Sequence, residues 1–324
     1  MGLAQEHGWE KGQIGENVIE GENRWALDQF DALAKKLGSQ NKACAMVGMS
    51  AAIISPLRNG KYGGDAAAQF AKLISYFKTK EEAAASPAAH LGVGEYAQTS
   101  ISSKVYDGIR NAQLKGGLAL ICGDAGVGKT KAAEKFVEDH PNDAIMITLN
   151  PCFSSLKSTL KMICRELNVN ERNIADMWTG IVAKLRDGMV LVIDEAQHTP
   201  PKTIEAIRAI PDHFYKHGMT LGVAFIGNLK TVGKFGGERD ADFAQISNRT
   251  KQKTVYLTSQ IKKSDVQLLF PELREEKSID FMLRIARSKQ AIRGAVNLYG
   301  NAVDNDNTSY EGLVAMAKHM EMDV

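Results

Sequence analysis

The chain has 324 residues, 44% of them hydrophobic and 24% charged, and its formal net charge at pH 7 is +2. That length supports two or three folded domains, and the composition excludes an intrinsically disordered chain. The small net charge excludes a polybasic binder that works through bulk charge, so any basic surface has to be created locally by folding.

No apolar run approaches the ~18 residues that a membrane-spanning helix needs. The opening Met1-Gly2-Leu3-Ala4-Gln5-Glu6-His7 lacks the basic and apolar regions of a secretory signal. Cys44, Cys122, Cys152 and Cys164 form no Cys-x-x-Cys pair and have no histidine at metal-ligand spacing. They read as buried thiols in a reducing compartment. A cytoplasmic protein without a membrane partner is expected.

Residues 1–80 carry helical periodicity. Trp25, Leu27, Phe30, Leu33, Ala34 and Leu37 recur at one-face spacing, as do Phe70, Leu73, Ile74 and Phe77. Between them, Asn41 to Asn59 reads as a helix–turn–helix, with Gly48-Met49-Ser50 as the turn and Ser50 capping the second helix. Pro56 removes a hydrogen bond from that second helix and is expected to bend it or end it early. Arg58 and Lys61 follow closely, where cationic side chains can reach phosphates. The module reads either as a DNA-binding unit or as a small helical protein-interaction domain. Residues 81–98, with Ser86-Pro87 and Gly92-Val93-Gly94, read as a linker, although the portion Glu81-Glu82-Ala83-Ala84-Ala85 could extend a helix.

From 99 to 258, short apolar runs alternate with amphipathic ones. Strands are expected at Leu118–Cys122, Ala144–Leu149, Val190–Ile193 and Leu221–Ile226. Helices are expected at Ser100–Leu114, Lys129–Asp139, Ser154–Leu167 and Lys202–Ile210. This alternation predicts an α/β fold, a parallel sheet flanked by helices. After about Ser259 only helical patterns remain, over Phe281–Arg287, Gly294–Val303 and Tyr310–His319, so 259–324 is expected to form a small helical lid.

The run Gly123-Asp124-Ala125-Gly126-Val127-Gly128-Lys129-Thr130 fits the phosphate-loop pattern G-x-x-x-x-G-K-[ST] at every fixed position. Its glycines let backbone N–H groups close on phosphate oxygens, and the following helix presents its positive end to the anion. Lys129 supplies a point charge to the β and γ phosphates, and Thr130 a hydroxyl to Mg²⁺. Lys131 completes the set expected to touch ATP. About 65 residues after Lys129, the apolar run Val190-Leu191-Val192-Ile193 ends in Asp194-Glu195. Asp194 suits the Mg²⁺ shell, and Glu195 suits the base that orients and deprotonates the attacking water. Asn228, just past the Leu221–Ile226 run, could touch the γ-phosphate or that water; it could equally be a turn residue.

These parts in this order resemble the AAA+ ATPases, with Walker A at Gly123–Thr130, Walker B at Val190–Glu195 and sensor 1 at Asn228. The run Ile193-Asp194-Glu195-Ala196-Gln197-His198 is similar to that of the transposition-associated Mu B, TnsC and TniB group, closest to its Mu B branch. Asn59-Gly60-Lys61-Tyr62-Gly63-Gly64-Asp65, Gln98-Thr99, Met146-Ile147-Thr148, Gly236-Gly237 and Asp242-Phe243-Ala244 also match segments of that branch. The likeness runs from about Gln29 to Tyr299. The resemblance implies an ATP-dependent, sequence-nonspecific binder of double-stranded DNA in a bacterial host cell. Such proteins assemble as homo-oligomeric filaments or rings on target DNA and recruit or activate a transposase. It also implies a trans arginine, best matched by Arg249 with Arg239 and Arg208 as rivals, and a sensor 2 arginine from the lid, matched by Arg293.

For DNA, the resemblance points to the basic stretch before Walker B, here Lys184 and Arg186, with a solvated helix face as the alternative. Lys157 and Lys161 are the next candidates. Two other functions share these motifs, a helicase-loader ATPase and a DNA-binding regulator switched by nucleotide.

Overall fold

A computed structural model describes residues 19–90, 92–170, 172–236 and 250–322. The chain divides into two compact units, Met1–His90 and Leu91–Val324. No helix among the described residues is long and apolar enough to cross a membrane.

In the first unit, α1 (Gly21–Leu37), α2 (Gln40–Val47), α3 (Ala51–Arg58), α4 (Ala66–Ala84) and the single turn α5 (Pro87–His90) follow one another. Their apolar faces meet in one core around Leu27, Phe30, Cys44, Ile54, Leu57, Leu73 and Phe77. Gly38 and Gly48 end α1 and α2 in left-handed conformation, where glycine carries no Cβ penalty. Asp65 caps α4 by accepting from the Ala68 N–H at 3.0 Å.

Ser50 is the N-cap residue of α3, as expected. The Ser50 side chain makes no capping bond; its carbonyl instead accepts the first helical N–H, from Ile53 at 3.0 Å. Pro56 does not end α3 at once, and the helix runs on to Arg58. The carbonyl that loses its partner is on Ala52, an exposed residue, where water can replace the missing N–H. The helical signal at 66–77 also persists, so that α4 continues to Ala84 and α5 lies within the stretch read as linker.

The second unit is a five-stranded parallel sheet in the order β2–β3–β4–β1–β5. The strands are β1 (Gly117–Gly123), β2 (Ala144–Thr148), β3 (Met189–Asp194), β4 (Leu221–Gly227) and β5 (Thr250–Tyr256). Every residue of β3 and β4 is buried, as a strand covered on both faces requires. α6 (Ser100–Lys115) lies on one face, close enough that a Cβ on Gly108 would meet the Ile121 side chain and one on Gly222 the Ala112 carbonyl. α7 (Lys129–Asp139) packs beside it through the Tyr106–Phe136 ring contact, centroids 4.8 Å apart. The opposite face buries Leu120, Cys122, Leu191, Ile193 and Phe225 against α8 (Leu156–Leu167), α9 (Ile174–Lys184) and α10 (Pro201–Lys216).

β5 is absent from the sequence reading, which ends the strands at Ile226. Thr250-Lys251-Gln252-Lys253-Thr254 is too polar to stand out, and that polarity suits a sheet edge. From Gln252 to Tyr256 burial alternates along the strand, as one covered face demands.

α11 (Leu229–Gly236) follows β4, and the lid comprises α12 (Lys263–Leu269), α13 (Glu276–Arg287), α14 (Ala291–Asp304) and α15 (Tyr310–His319). Asp265 of α12 is buried and accepts from both the Ser100 N–H and the Ser100 hydroxyl at 2.7 Å, which ties the lid to the start of α6.

Candidate functional site

The strand order builds the site. β4 lies between β1 and β3, so Gly123, Asp194 and Gly227 end side by side at the carboxyl edge of the sheet. Ligands of open α/β sheets collect at this edge. A cleft of about 340 Å³ opens here, within the range of small-molecule sites.

The phosphate loop joins β1 to α7. Gly126 and Gly128 have φ of 76° and 95°, left-handed values that glycine adopts without strain. Gly123 is needed for a different reason, since a Cβ there would run into the Tyr256 carbonyl of β5. The Asp124 carboxylate accepts from the Thr258 N–H at 2.8 Å, and the Asp124 N–H donates to the Tyr256 carbonyl at 2.9 Å. Of the residues expected to touch ATP, Ala125, Gly126, Gly128, Lys129, Thr130, Lys131 and Arg293 line the cleft. Gly123, Asp124 and the buried Val127 do not line it.

Thr130 and Asp194 meet directly, the hydroxyl donating to the carboxylate at 2.8 Å. Lys129 folds over the loop and donates to the carbonyls of Gly123 at 3.0 Å and Asp124 at 2.6 Å. Both charged groups are buried. Burial pushes the Asp194 carboxyl up, opposed by the Thr130 hydrogen bond and the Glu195 backbone N–H. Burial likewise pushes the Lys129 ammonium down, opposed chiefly by the charge of Asp194. Each group is thus short of the countercharge that a metal–phosphate ligand would bring. The hydroxyl and carboxylate oxygens of Thr130 and Asp194 are the donors that Mg²⁺ prefers. Among the described residues no cluster of three or more His, Cys, Asp or Glu forms a protein-only metal cage.

Glu195 follows Asp194 in left-handed conformation, with φ 54° and ψ 40°, and lines the cleft. Asn228 lines it too; its side-chain carbonyl accepts from the Lys230 N–H at 2.9 Å. That bond is the turn contact read as the alternative for Asn228. Lid and loop touch where the Arg293 N–H donates to the Gly126 carbonyl at 3.3 Å. A Cβ on Gly126 would sit 3.0 Å from the Ala291 Cβ, so this glycine also admits the lid.

Tyr96, Ala97 and Thr99 line the cleft as well. Sequence reasoning missed the lid residues opposite them, Leu269, Ile292, Val296 and Asn297, and also Gln197. Ile292 and Val296 were detectable as an i, i+4 apolar pair flanking Arg293.

Arg249 and Arg239 lie outside the described residues. Arg208 is partly buried and lies 3.8 Å from Asp212 on its own helix.

In the second unit the DNA candidates lie on different elements. Lys184 is exposed at the end of α9, but Arg186 lies beyond that helix and bonds to the Asn142 carbonyl, 3.9 Å from Asp143. Asn142 and Asp143 precede β2, so Arg186 occupies the amino edge of the sheet, opposite the nucleotide cleft. Lys157 is exposed on the first turn of α8, and Lys161 lies one turn later, partly buried. In the helical unit, Arg58 pairs with Asp31, whereas Lys61 is exposed. The expectation for cysteine needs one correction. Cys44, Cys122 and Cys164 are buried but Cys152 is exposed, because it sits on a short turn beyond β2. Burial pushes the Cys122 thiol up to about 11, so it is inert near neutral pH.

Residues 113–232 match the AAA domain family. The chain is 27% identical to the ATP-dependent target DNA activator B of Escherichia phage Mu over 252 residues, 76% of this chain and 77% of that protein. It is also 27% identical over 235 residues to the Mu-like prophage FluMu DNA transposition protein B of Haemophilus influenzae, covering 71% of this chain and 78% of the relative. Among solved structures, the Aeropyrum pernix ORC2 protein superposes with a TM-score of 0.53 at 12% identity, over 68% of this chain and 67% of that one. At that identity the superposition speaks for the fold alone. With a parallel sheet flanked by helices and an AAA domain at its centre, the chain is a homologue of the Mu-type transposition B proteins.

Proposed function

We propose that this protein hydrolyses ATP, binds double-stranded DNA without sequence preference, and assembles on target DNA as a homo-oligomer that recruits or activates a transposase. The observation that carries the reading is the Thr130–Asp194 hydrogen bond, which joins the loop after β1 to the acid ending β3, with Asn228 at the end of β4 between them. The relatives' names, target DNA activator and transposition protein, supply the biological setting.

In this reading Lys129 leaves the Gly123 and Asp124 carbonyls for the β and γ phosphates. Thr130 and Asp194 hold Mg²⁺, which neutralises phosphate charge. Glu195 takes the proton of the attacking water while Asn228 fixes that water or the γ-phosphate. Arg293 reaches the phosphates from the lid. Arg249 of the next subunit completes the site, so hydrolysis depends on assembly. Lys157, Lys161, Lys184, Arg186, Lys61 and Arg58 are the cations proposed for the DNA backbone. The exposed Lys157, Lys184 and Lys61 are the strongest of these, because Arg58 and Arg186 already have acidic neighbours.

Fluorescence anisotropy on labelled duplexes of unrelated sequence tests the DNA part. With ATP and Mg²⁺, affinities should agree within about threefold across sequences while falling steeply with salt, about 10³-fold between 50 and 200 mM for six phosphate contacts. Binding restricted to one duplex, or no binding with ATP, would overturn the reading.

A further inference from the structure

Gln197 is buried in the logic of the site but has no part in the chemistry described so far. It sits in the single turn Ala196–His198 immediately after Glu195, whose backbone is left-handed, and it lines the cleft. Both ends of its amide are engaged. The Nε2 donates to Oε2 of Glu195, and the Oε1 accepts from the Asn228 backbone N–H at 3.3 Å. A Cβ on Gly227, at the end of β4, would sit 2.2 Å from the Thr231 hydroxyl and 2.9 Å from the Gln197 Oε1, so glycine leaves room for both side chains.

We propose that Gln197 is a positioning residue that fixes the Glu195 carboxylate and joins it to the Asn228 segment. The inference rests on the reading of Glu195 as the base. One carboxylate oxygen of Glu195 is held by the amide, which leaves the other to face the attacking water in a defined direction. Without that hold, the carboxylate rotates about its own side-chain torsions and spends less time aimed at the water. Because the same amide bonds to the Asn228 backbone, any shift of the segment after β4 on phosphate binding is passed to the base through a single side chain. Gln is suited to this task because its amide offers a donor at one end and an acceptor at the other. Leu has the size and neither group, and Glu has no donor for Oε2 when ionised.

The test uses the full-length protein with the variants Gln197→Ala, Gln197→Leu and Glu195→Gln, and the double variant Gln197→Ala/Glu195→Gln. Both Gln197 variants should lower kcat about tenfold, with KM and ATP binding unchanged within about twofold. Hydrogen exchange at the Asn228 backbone N–H, measured without nucleotide, should speed up in both. In the Glu195→Gln background, adding Gln197→Ala should cause no further loss of turnover, because its effect passes through Glu195.

Wild-type or raised kcat in the Gln197 variants, or an additive loss in the double variant, would overturn the proposal. So would unchanged exchange at Asn228. Wild-type turnover in Glu195→Gln alone would instead remove Glu195 as the base, a separate failure. Thermal melting of each variant separates unfolding from these outcomes, since Gln197→Leu keeps the volume of the side chain.

Discussion

Lys129→Ala should weaken ATP binding at least about 100-fold, by the loss of charge-assisted bonds to phosphate. The sequence motif alone supports this direction, but the geometry explains the size. Lys129 is buried among loop carbonyls, and burial pushes its ammonium down. Asp194 compensates this buried cation only in part, and the triphosphate adds countercharge. The same ammonium donates to the Gly123 and Asp124 carbonyls, so its removal also loosens the loop. A binding titration with a fluorescent ATP analogue, read beside thermal melting, distinguishes the two consequences. Retained affinity would remove Lys129 from the phosphate site.

Glu195→Gln should behave in the opposite way, binding ATP as the wild type does while turning over about 10²–10⁴-fold more slowly, the usual worth of a positioned general base. The substitution keeps the side chain's length and retains an acceptor oxygen for the Gln197 amide, so it removes basicity with little change of shape. Asp194 is a different acid, buried and bonded to Thr130, and its role is to hold rather than to transfer a proton. Single-turnover hydrolysis with prebound ATP measures the effect without interference from binding. A normal rate would assign water activation to another residue.

Much of this site was legible in the sequence because its parts are local. A glycine-rich loop between an apolar strand and a helix, and an apolar strand ending in two acids, fix their own backbone geometry. Their meeting then follows from a strand order that parallel α/β sheets commonly adopt. What could not be read depends on long-range packing. β5 is a polar edge strand, and only its pairing with β1 reveals it. Asp124 sits inside the motif, yet its carboxylate serves the Thr258 N–H and not the cleft, a contact 134 residues away in sequence. Gln197 reads as one polar residue among several until β3 and β4 set Glu195 and Asn228 on either side of it. The basic residues were the least legible. A Lys or Arg in a sequence gives no sign of its neighbours, and Arg58 and Arg186 found acidic ones.

The helical unit shows the same division. Its periodicity, its glycine caps and the turn between α2 and α3 are encoded locally. The persistence of α3 through Pro56 depends on Ala52 facing solvent, which is a property of the packed unit.

Electron microscopy of the protein on non-specific duplex DNA, with ATP or with ADP, tests the central claim most directly. Regular oligomers should coat the DNA in ATP, be sparse in ADP, and persist longer for Glu195→Gln, which binds ATP without discharging it. Absence of DNA-bound oligomers in ATP, or equal assembly in ATP and ADP, would contradict the account.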